Sequence, residues 1–245
     1  MNNEYIIHKT LQKKLSVQFC KGVKQYNLIQ PGDSILAGLS GGKDSLALIE
    51  LLGLYRKKNN YNFSVTALHV KMRNISYSSN TDYLKNFCKN YGIDLIIKET
   101  HFEEDTQKNR TPCFLCSWNR RKILFETAQE IKANKIALGH HQDDIIHTLL
   151  MNLNYQGTFT TMPIKIRMKK FPVSIIRPLC KIQEHDLHTW AKLNHYHPMI
   201  KICPYDTNSK RTIIKNWFST MEKENREARF NMWHALEKEG KLIEE

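Results

Sequence analysis

The sequence is 245 residues long, 41% hydrophobic and 10% aromatic, and its 37 lysines and arginines against 24 acids leave a formal net charge of +13. A chain of this size can bury roughly 70–75% of its unfolded surface, which excludes disordered, fibrous and disulfide-stapled miniprotein classes. No stretch approaches the roughly 20 apolar residues of a membrane span, and residues 1–15 carry charge where a signal peptide needs its apolar segment, so a cytoplasmic location with no membrane partner is expected.

In chain order, Leu11, Leu15, Phe19, Val23 and Tyr26 recur at helical spacing with Lys13, Lys14, Lys21 and Lys24 between them, which predicts a basic amphipathic helix over about 9–27. Pro31-Gly32-Asp33 makes a turn. Strand-like and helix-like segments then alternate: strand 34–39, helix 45–58, strand 63–70, helix 81–91, strand 94–98, helix 116–132, strand 135–139 and helix 143–154. That alternation predicts an α/β fold, a parallel Rossmann-like sheet with helices on both faces, whose ligands sit beyond the carboxyl ends of the strands. From Pro163 the pattern loosens. Lys165–Lys170 is a basic stretch, 174–179 suits a last strand, and about 208–239 reads as helix with Trp217, Phe218, Met221, Phe230 and Trp233 available for packing. The domain expectation is an N-terminal basic helix over 1–30, a core over 31–180 and a C-terminal helical extension over 181–245 that carries Cys203.

Ser40-Gly41-Gly42-Lys43-Asp44-Ser45 lies between a predicted strand and a predicted helix. Two glycines permit a tight turn with inward backbone N–H groups, and the helix N-terminus adds partial positive charge, together a phosphate cradle. It is neither GxxxxGK[ST] nor GxGxxG. It resembles SGGxDS, the PP-loop of the N-type ATP pyrophosphatases, a HUP-type fold. That resemblance implies cleavage of ATP between the α and β phosphates with adenylation of a substrate oxygen. Ser40, Lys43 and Ser45 would hold phosphate oxygens, Asp44 would help hold Mg2+, and the adenine would lie near His69 and Val70.

Two further segments carry chemistry. Cys113 and Cys116, with Pro112 ahead of them, can reach one metal from a single turn; a redox dithiol and two buried thiols are the other readings. Cys203, between Ile202 and Pro204, is the best further ligand, while Cys20 and Cys88 fall on apolar helix faces and Cys180 is ambiguous. Gly139-His140-His141-Gln142-Asp143-Asp144 stands where another strand gives way to a helix, so it should gather at the sheet edge of the glycine loop, with Gly139 beside the nucleotide. Adjacent carboxylates at a helix start are ordinary capping chemistry, but beside a phosphate loop Asp143 and Asp144 are candidate Mg2+ or catalytic groups.

Taken in order, SGGKDS, PCxxC with Arg120-Arg121 after it, GHHQDD, Arg177-Pro178-Leu179 and Cys203 resemble the TtcA-type tRNA 2-thiocytidine synthetases over about residues 10–218. The resemblance implies adenylation of the C2 oxygen of cytidine 32 in the tRNA anticodon loop and its replacement by sulfur. It also implies a 4Fe-4S cluster on Cys113, Cys116 and Cys203 with one iron left open for sulfur, a sulfur donor such as a cysteine desulfurase, and a homodimer. Many members have a second CxxC at the later site; here Pro204, Tyr205 and Asp206 follow Cys203, so one thiol is offered.

The charge pattern suits tRNA. Lys108, Arg110, Arg120, Arg121 and Lys122 fall in an acid-free segment around the cysteine pair, with Phe114 and Trp118 able to stack on an unstacked base. The N-terminal helix and Lys165–Lys170 are further candidate RNA surfaces. Two other readings fit: a PP-loop thiolase of another base or a small molecule, and a non-catalytic RNA-binding protein with zinc on Cys113, Cys116, Cys203 and His195 or His197.

Overall fold

The computed structural model describes residues 3–59, 62–73, 77–78, 80–101, 111–201 and 210–244. The chain opens with α1 (Asn3–Gln25), then alternates through β1 (Ser34–Gly38), α2 (Lys43–Asn59), β2 (Ser64–Met72), the two-residue β3 (Tyr77–Ser78), α3 (Thr81–Asn90), β4 (Asp94–Thr100), α4 (Pro112–Glu130), β5 (Lys135–Ala137) and α5 (Gln142–Gln156). A hairpin of β6 (Lys165–Arg167) and β7 (Ser174–Ile176) follows, then α6 (Glu184–Leu193), β8 (Ile200–Lys201), α7 (Lys210–Glu224), α8 (Ala228–Lys238) and β9 (Ile243–Glu244).

Among the described residues, seven strands form one sheet in the order β4-β2-β1-β5-β7-β6-β9, and β3 and β8 form a separate antiparallel pair. β4, β2, β1, β5 and β7 are mutually parallel, and β6 runs against β7. The chain leaves β1 toward β2 and β4 on one side, then returns to β5 and β7 on the other. The switch point therefore lies between β1 and β5, where ligands enter folds of this kind.

Period-2 alternation sends successive side chains of the central strands to opposite faces. Ile35, Ala37, Val65 and Ala67 share a core with Phe19 of α1, Leu46 and Ile49 of α2, Leu84 of α3, Ile145 of α5 and Trp190 of α6. On the other face, Leu36, Leu68 and Ile136 pack against Leu124 and Ala128 of α4 and against Met168 and Phe171 of the β6–β7 loop. Each fully buried Leu or Ile in these layers contributes about 1.5–3 kcal/mol. No helix among the described residues is long and apolar enough to cross a membrane.

The structure corrects several element boundaries. α1 starts at Asn3 rather than near residue 9. α4 starts at Pro112 rather than Cys116, because the Thr111 hydroxyl caps the Phe114 amide at 3.3 Å and Pro112, with no N–H to satisfy, suits a first helical turn. The predicted helix over 208–239 is two helices, broken by Asn225–Glu227. Of its aromatic and apolar residues, Phe218 and Trp233 are buried, whereas Trp217, Met221 and Phe230 are exposed. The basic stretch 165–170 contains a strand, β6.

The two ends of the chain meet. Glu237 of α8 accepts from Gln25 at 2.9 Å, from the Tyr26 hydroxyl at 2.5 Å, from Trp233 Nε1 at 3.0 Å and from Lys181 at 3.2 Å. Lys14 of α1 binds Asp186 of α6 at 2.7 Å.

Candidate active site

The glycine loop leaves β1 at the level of His69 on β2, whose buried Nδ1 lies 2.8 Å from the Leu39 carbonyl. His69 thus braces the strand behind the loop. Gly41 sits at φ +83°, a conformation that glycine adopts without strain. The Ser45 hydroxyl donates to the Gly42 carbonyl at 2.9 Å, Ser40 Oγ donates to Ser45 Oγ at 3.1 Å, and the Gly42 amide donates to Ser40 Oγ at 3.3 Å. These bonds close the loop on itself at the N-terminus of α2, where the macrodipole favours an anion. Lys43 Nζ contacts both oxygens of Asp44, at 2.9 and 3.0 Å, and lies 3.7 Å from Glu184.

The second turn comes directly alongside. A Cβ added at Gly139 would stand 3.1 Å from the Asp44 carbonyl oxygen and 3.2 Å from Ser45 Cα, so the β5–α5 turn and the glycine loop touch backbone to backbone. The two aspartates of this turn are placed differently. Asp144 accepts from the His141 amide at 3.1 Å and keeps about a quarter of its side chain open. Asp143 is nearly buried. It accepts from Arg229 of α8 at 2.8 Å and from the Glu184 amide at the start of α6 at 2.7 Å, and His141 Nδ1 lies 3.6 Å away. Burial alone would raise the Asp143 pKa, but His141, Arg229 and the Glu184 amide together hold it far below the usual carboxylate range. Beside it, His140 is pushed down to about 4 by burial and by the Arg177 guanidinium, whose Nε donates to His140 Nδ1 at 3.3 Å. His140 is a neutral acceptor at pH 7.

Cys113 and Cys116 occupy the first turn of α4, Cys113 exposed and Cys116 half-buried against Met72 at the end of β2 and Leu115. Cys203 lies outside the described residues, as do Lys108 and Arg110. The chain just upstream of Cys203 is placed: Lys201 and Ile200 pair with Tyr77 and Ser78 shortly after β2, and the Met199 amide donates to the Gly41 carbonyl at 2.8 Å. The described segment that ends at Lys201 is therefore tied to the phosphate loop, and Cys116 of α4 packs against Met72 at the end of β2.

Residues 10–219 match the PP-loop domain. The chain is 33% identical over 234 residues to a Francisella tularensis subsp. novicida protein named tRNA-cytidine(32) 2-sulfurtransferase 1, covering 93% of this chain and 86% of that protein. A Bordetella petrii protein named tRNA-cytidine(32) 2-sulfurtransferase is 33% identical over 92% of this chain and 71% of its own length. The chain belongs to the TtcA-type branch of the PP-loop transferases. Among solved structures, the U34-tRNA thiolase NcsA from Methanococcus maripaludis with its 4Fe-4S cluster has a TM-score of 0.75 at 27% identity, covering 94% of this chain and 79% of that one.

In this PP-loop chain the sequence reading missed three site residues. Arg229 stands 86 positions from its partner Asp143, and no local pattern announces such a contact. Glu184 is the first residue of α6, a short helix whose Leu187, Trp190 and Ala191 are interrupted by His185 and His188. Met199 is recognisable only from the loop it covers. Arg121 and Lys122 are exposed on α4 and Arg120 is half-buried, so the three successive side chains diverge around the helix.

Arg229→Met tests the burial argument. Removing one partner of a buried ion pair leaves the carboxylate uncompensated, at a cost of about 3 kcal/mol. Because the Asp143 pKa is depressed in the folded state, its contribution is fully present above the unfolded value of about 4 and is lost as pH falls below it. Urea unfolding should show the variant destabilised at pH 7 and the gap to the parent narrowing below about pH 4; an equal gap at both ends of that range would refute the assignment.

Proposed function

We propose that the chain is an ATP-dependent tRNA sulfurtransferase that adenylates the C2 oxygen of cytidine 32 and replaces it with sulfur, releasing AMP and pyrophosphate. One observation carries the reading. The SGGKDS loop and the GHHQDD turn meet at the switch point of the sheet, in a chain with relatives named tRNA-cytidine(32) 2-sulfurtransferase along nearly its whole length.

The roles follow from the geometry. The Gly41 and Gly42 backbone with the Ser40 and Ser45 hydroxyls offers donors to the β and γ phosphates. Lys43 and Asp44 neutralise one another at 2.9 Å, so nucleotide binding exchanges that pair for two others, Lys43 on phosphate and Asp44 on Mg2+. Asp144, open where Asp143 is closed, is the second carboxylate for Mg2+. Asp143 positions the turn through Arg229 and α6. The adenine would lie at the β2 edge near His69 and Val70, with Gly139 letting the second turn approach the glycine loop.

The cytidine C2 oxygen attacks the α phosphorus and pyrophosphate leaves. The adenylated oxygen then departs as AMP when a sulfur nucleophile adds at C2. Adenylation is needed because an oxo group is otherwise a poor leaving group. Arg120, Arg121 and Lys122 draw in RNA phosphates around the cysteine turn.

A 4Fe-4S cluster suits the donors at hand: two thiols sit one turn apart at a helix N-terminus, which favours negative charge, and the chain tied to the PP-loop leads to a third. Cys113, Cys116 and Cys203 would hold it. When bound, it would supply an open iron site for sulfur.

Mass spectrometry of tRNA nucleosides from cells with and without the gene tests substrate and reaction together. Loss of 2-thiocytidine alone is the expected result. Loss of a 2-thiouridine with 2-thiocytidine intact would move the acceptor to uridine, in line with the named activity of the NcsA neighbour, and would overturn the cytidine assignment.

A further inference from the structure

On the edge of the sheet opposite the PP-loop, a groove of about 950 Å³ is bounded by the residues that precede β1, β5 and β7 and by the β6–β7 hairpin. Four cations face it within six residues: Lys165, Arg167, Lys169 and Lys170. None of the four has an acidic partner within 4 Å among the described residues, in contrast to Lys14, Lys98 and Lys215, which are all paired. Asp33 is the one acid among the described residues lining the groove, and it is already neutralised. Its Oδ2 accepts from Lys135 at 2.6 Å, and its Oδ1 accepts from Asn134 at 2.9 Å. The groove therefore carries a net charge of four, close to a third of the formal +13 of the whole chain.

The hairpin that presents these cations is held firmly. Phe171 stacks on Phe125 of α4 at 4.8 Å and 19°, and Met168 and Phe171 pack into the core beneath that helix. Across the loop, the Met168 amide donates to the Val173 carbonyl at 3.0 Å. α4 starts at the catalytic edge with Cys113, carries Arg121 and Lys122 exposed along its flank, and ends at Glu130 near the start of β5. Its 19 residues span about 28 Å. The cations of α4 stop at Lys122, which pairs with Glu126 at 3.8 Å, so the hairpin cations form a separate cluster at the far end of that helix.

A small-molecule site does not call for such a strip. Four cations without an acidic partner among the described residues, gathered within six positions on one hairpin, match the repeating charge of a nucleic-acid backbone. We propose that the β6–β7 hairpin and its groove are a second RNA-backbone surface, which holds phosphates of the tRNA body while the anticodon loop occupies the opposite edge. The inference rests on the tRNA reading above. It selects the hairpin over the N-terminal helix because Lys13, Lys21 and Lys24 are spread over about three helical turns and Lys14 is committed to Asp186, whereas the hairpin gathers four cations around one groove.

The test is titration of the full chain with a full-length tRNA transcript bearing cytidine at position 32, at several salt concentrations. The variant K165Q/R167Q/K169Q/K170Q is compared with the parent and with K165R/K169R/K170R. Loss of four phosphate contacts should weaken binding about tenfold or more near 0.15 M salt and make the slope of log K against log salt shallower by about 3. The arginine variant should bind as the parent does. Thermal melts check folding, and the exposed pair K169Q/K170Q should give about half the change in slope if the larger variant melts early. Equal affinity and equal slope in parent and glutamine variants would overturn the proposal. A parent that binds tRNA steeply with salt yet forms no thionucleoside would leave this surface standing and overturn the proposed reaction instead.

Discussion

Gly139→Ala is expected to lower ATP-dependent pyrophosphate release about tenfold in a protein that still folds. The added methyl would meet three backbone atoms, at 3.1 Å from the Asp44 oxygen, 3.2 Å from its carbonyl carbon and 3.2 Å from Ser45 Cα. Backbone at the start of a helix cannot swing aside as a side-chain tip can. Either α2 or α5 must shift by some tenths of an ångström, and both carry groups that have to converge on one phosphate. Overpacking costs about 1–3 kcal/mol of stability, and since a misplacement of about 1 Å at a reacting centre can cost a hundredfold in rate, a shift of some tenths should cost about tenfold. The two effects separate experimentally. A modest fall in the unfolding midpoint with a large fall in pyrophosphate release fits this geometry; a fall in stability with catalysis unchanged would show that the two turns need not touch.

Cys113→Ser and Cys116→Ser should each remove tRNA thiolation altogether and leave ATP affinity within about twofold, since the α4 turn and the α2 turn are built on different strands. Each variant is read out by iron content after anaerobic purification, nucleotide binding and tRNA nucleoside analysis. Serine offers a harder, less readily ionised ligand of almost the same size, so loss of iron without loss of nucleotide binding is the signature. Thiolation that persists in either variant would remove that residue from the ligand set. Cys203 differs in kind. It lies outside the described residues, so its variant is a separate test of the third ligand.

The two turns of the site were legible because their residues are consecutive. A strand that stops at a glycine followed by a helix start fixes where SGGKDS and GHHQDD must lie in a parallel sheet, and the structure sets them side by side at the switch point. The core strands were legible for the same reason, with Leu36 and Leu68 alternating against Ile35 and Ala67. The start of α4 was not. Phe114, Leu115, Trp118, Ile123, Leu124 and Phe125 leave no single apolar stripe, and only the Thr111-Pro112 capping pair marks the first turn. β3 and β8 have two residues each and pair across more than 120 positions, a register that no local pattern encodes. Arg229 belongs with them: its effect on Asp143 comes from helix packing, and nothing local sets it apart from Arg226 three positions earlier.

The meeting of α1 with α8 sets an order of events during synthesis. Tyr26 and Gln25 are made early, yet their partner Glu237 lies 211 and 212 residues downstream. Emerging from the ribosome, α1 soon meets α2, but α6, which covers the rest of its apolar face, comes late. Contacts this distant in sequence slow folding, since the intervening loop must close before they can form. The part of α1 that packs on α6 therefore stays uncovered for most of translation, while Phe19 can meet Tyr55 of α2 early. Docking of α6 covers that part, and the Glu237 bonds from α8 to Gln25 and Tyr26 come last.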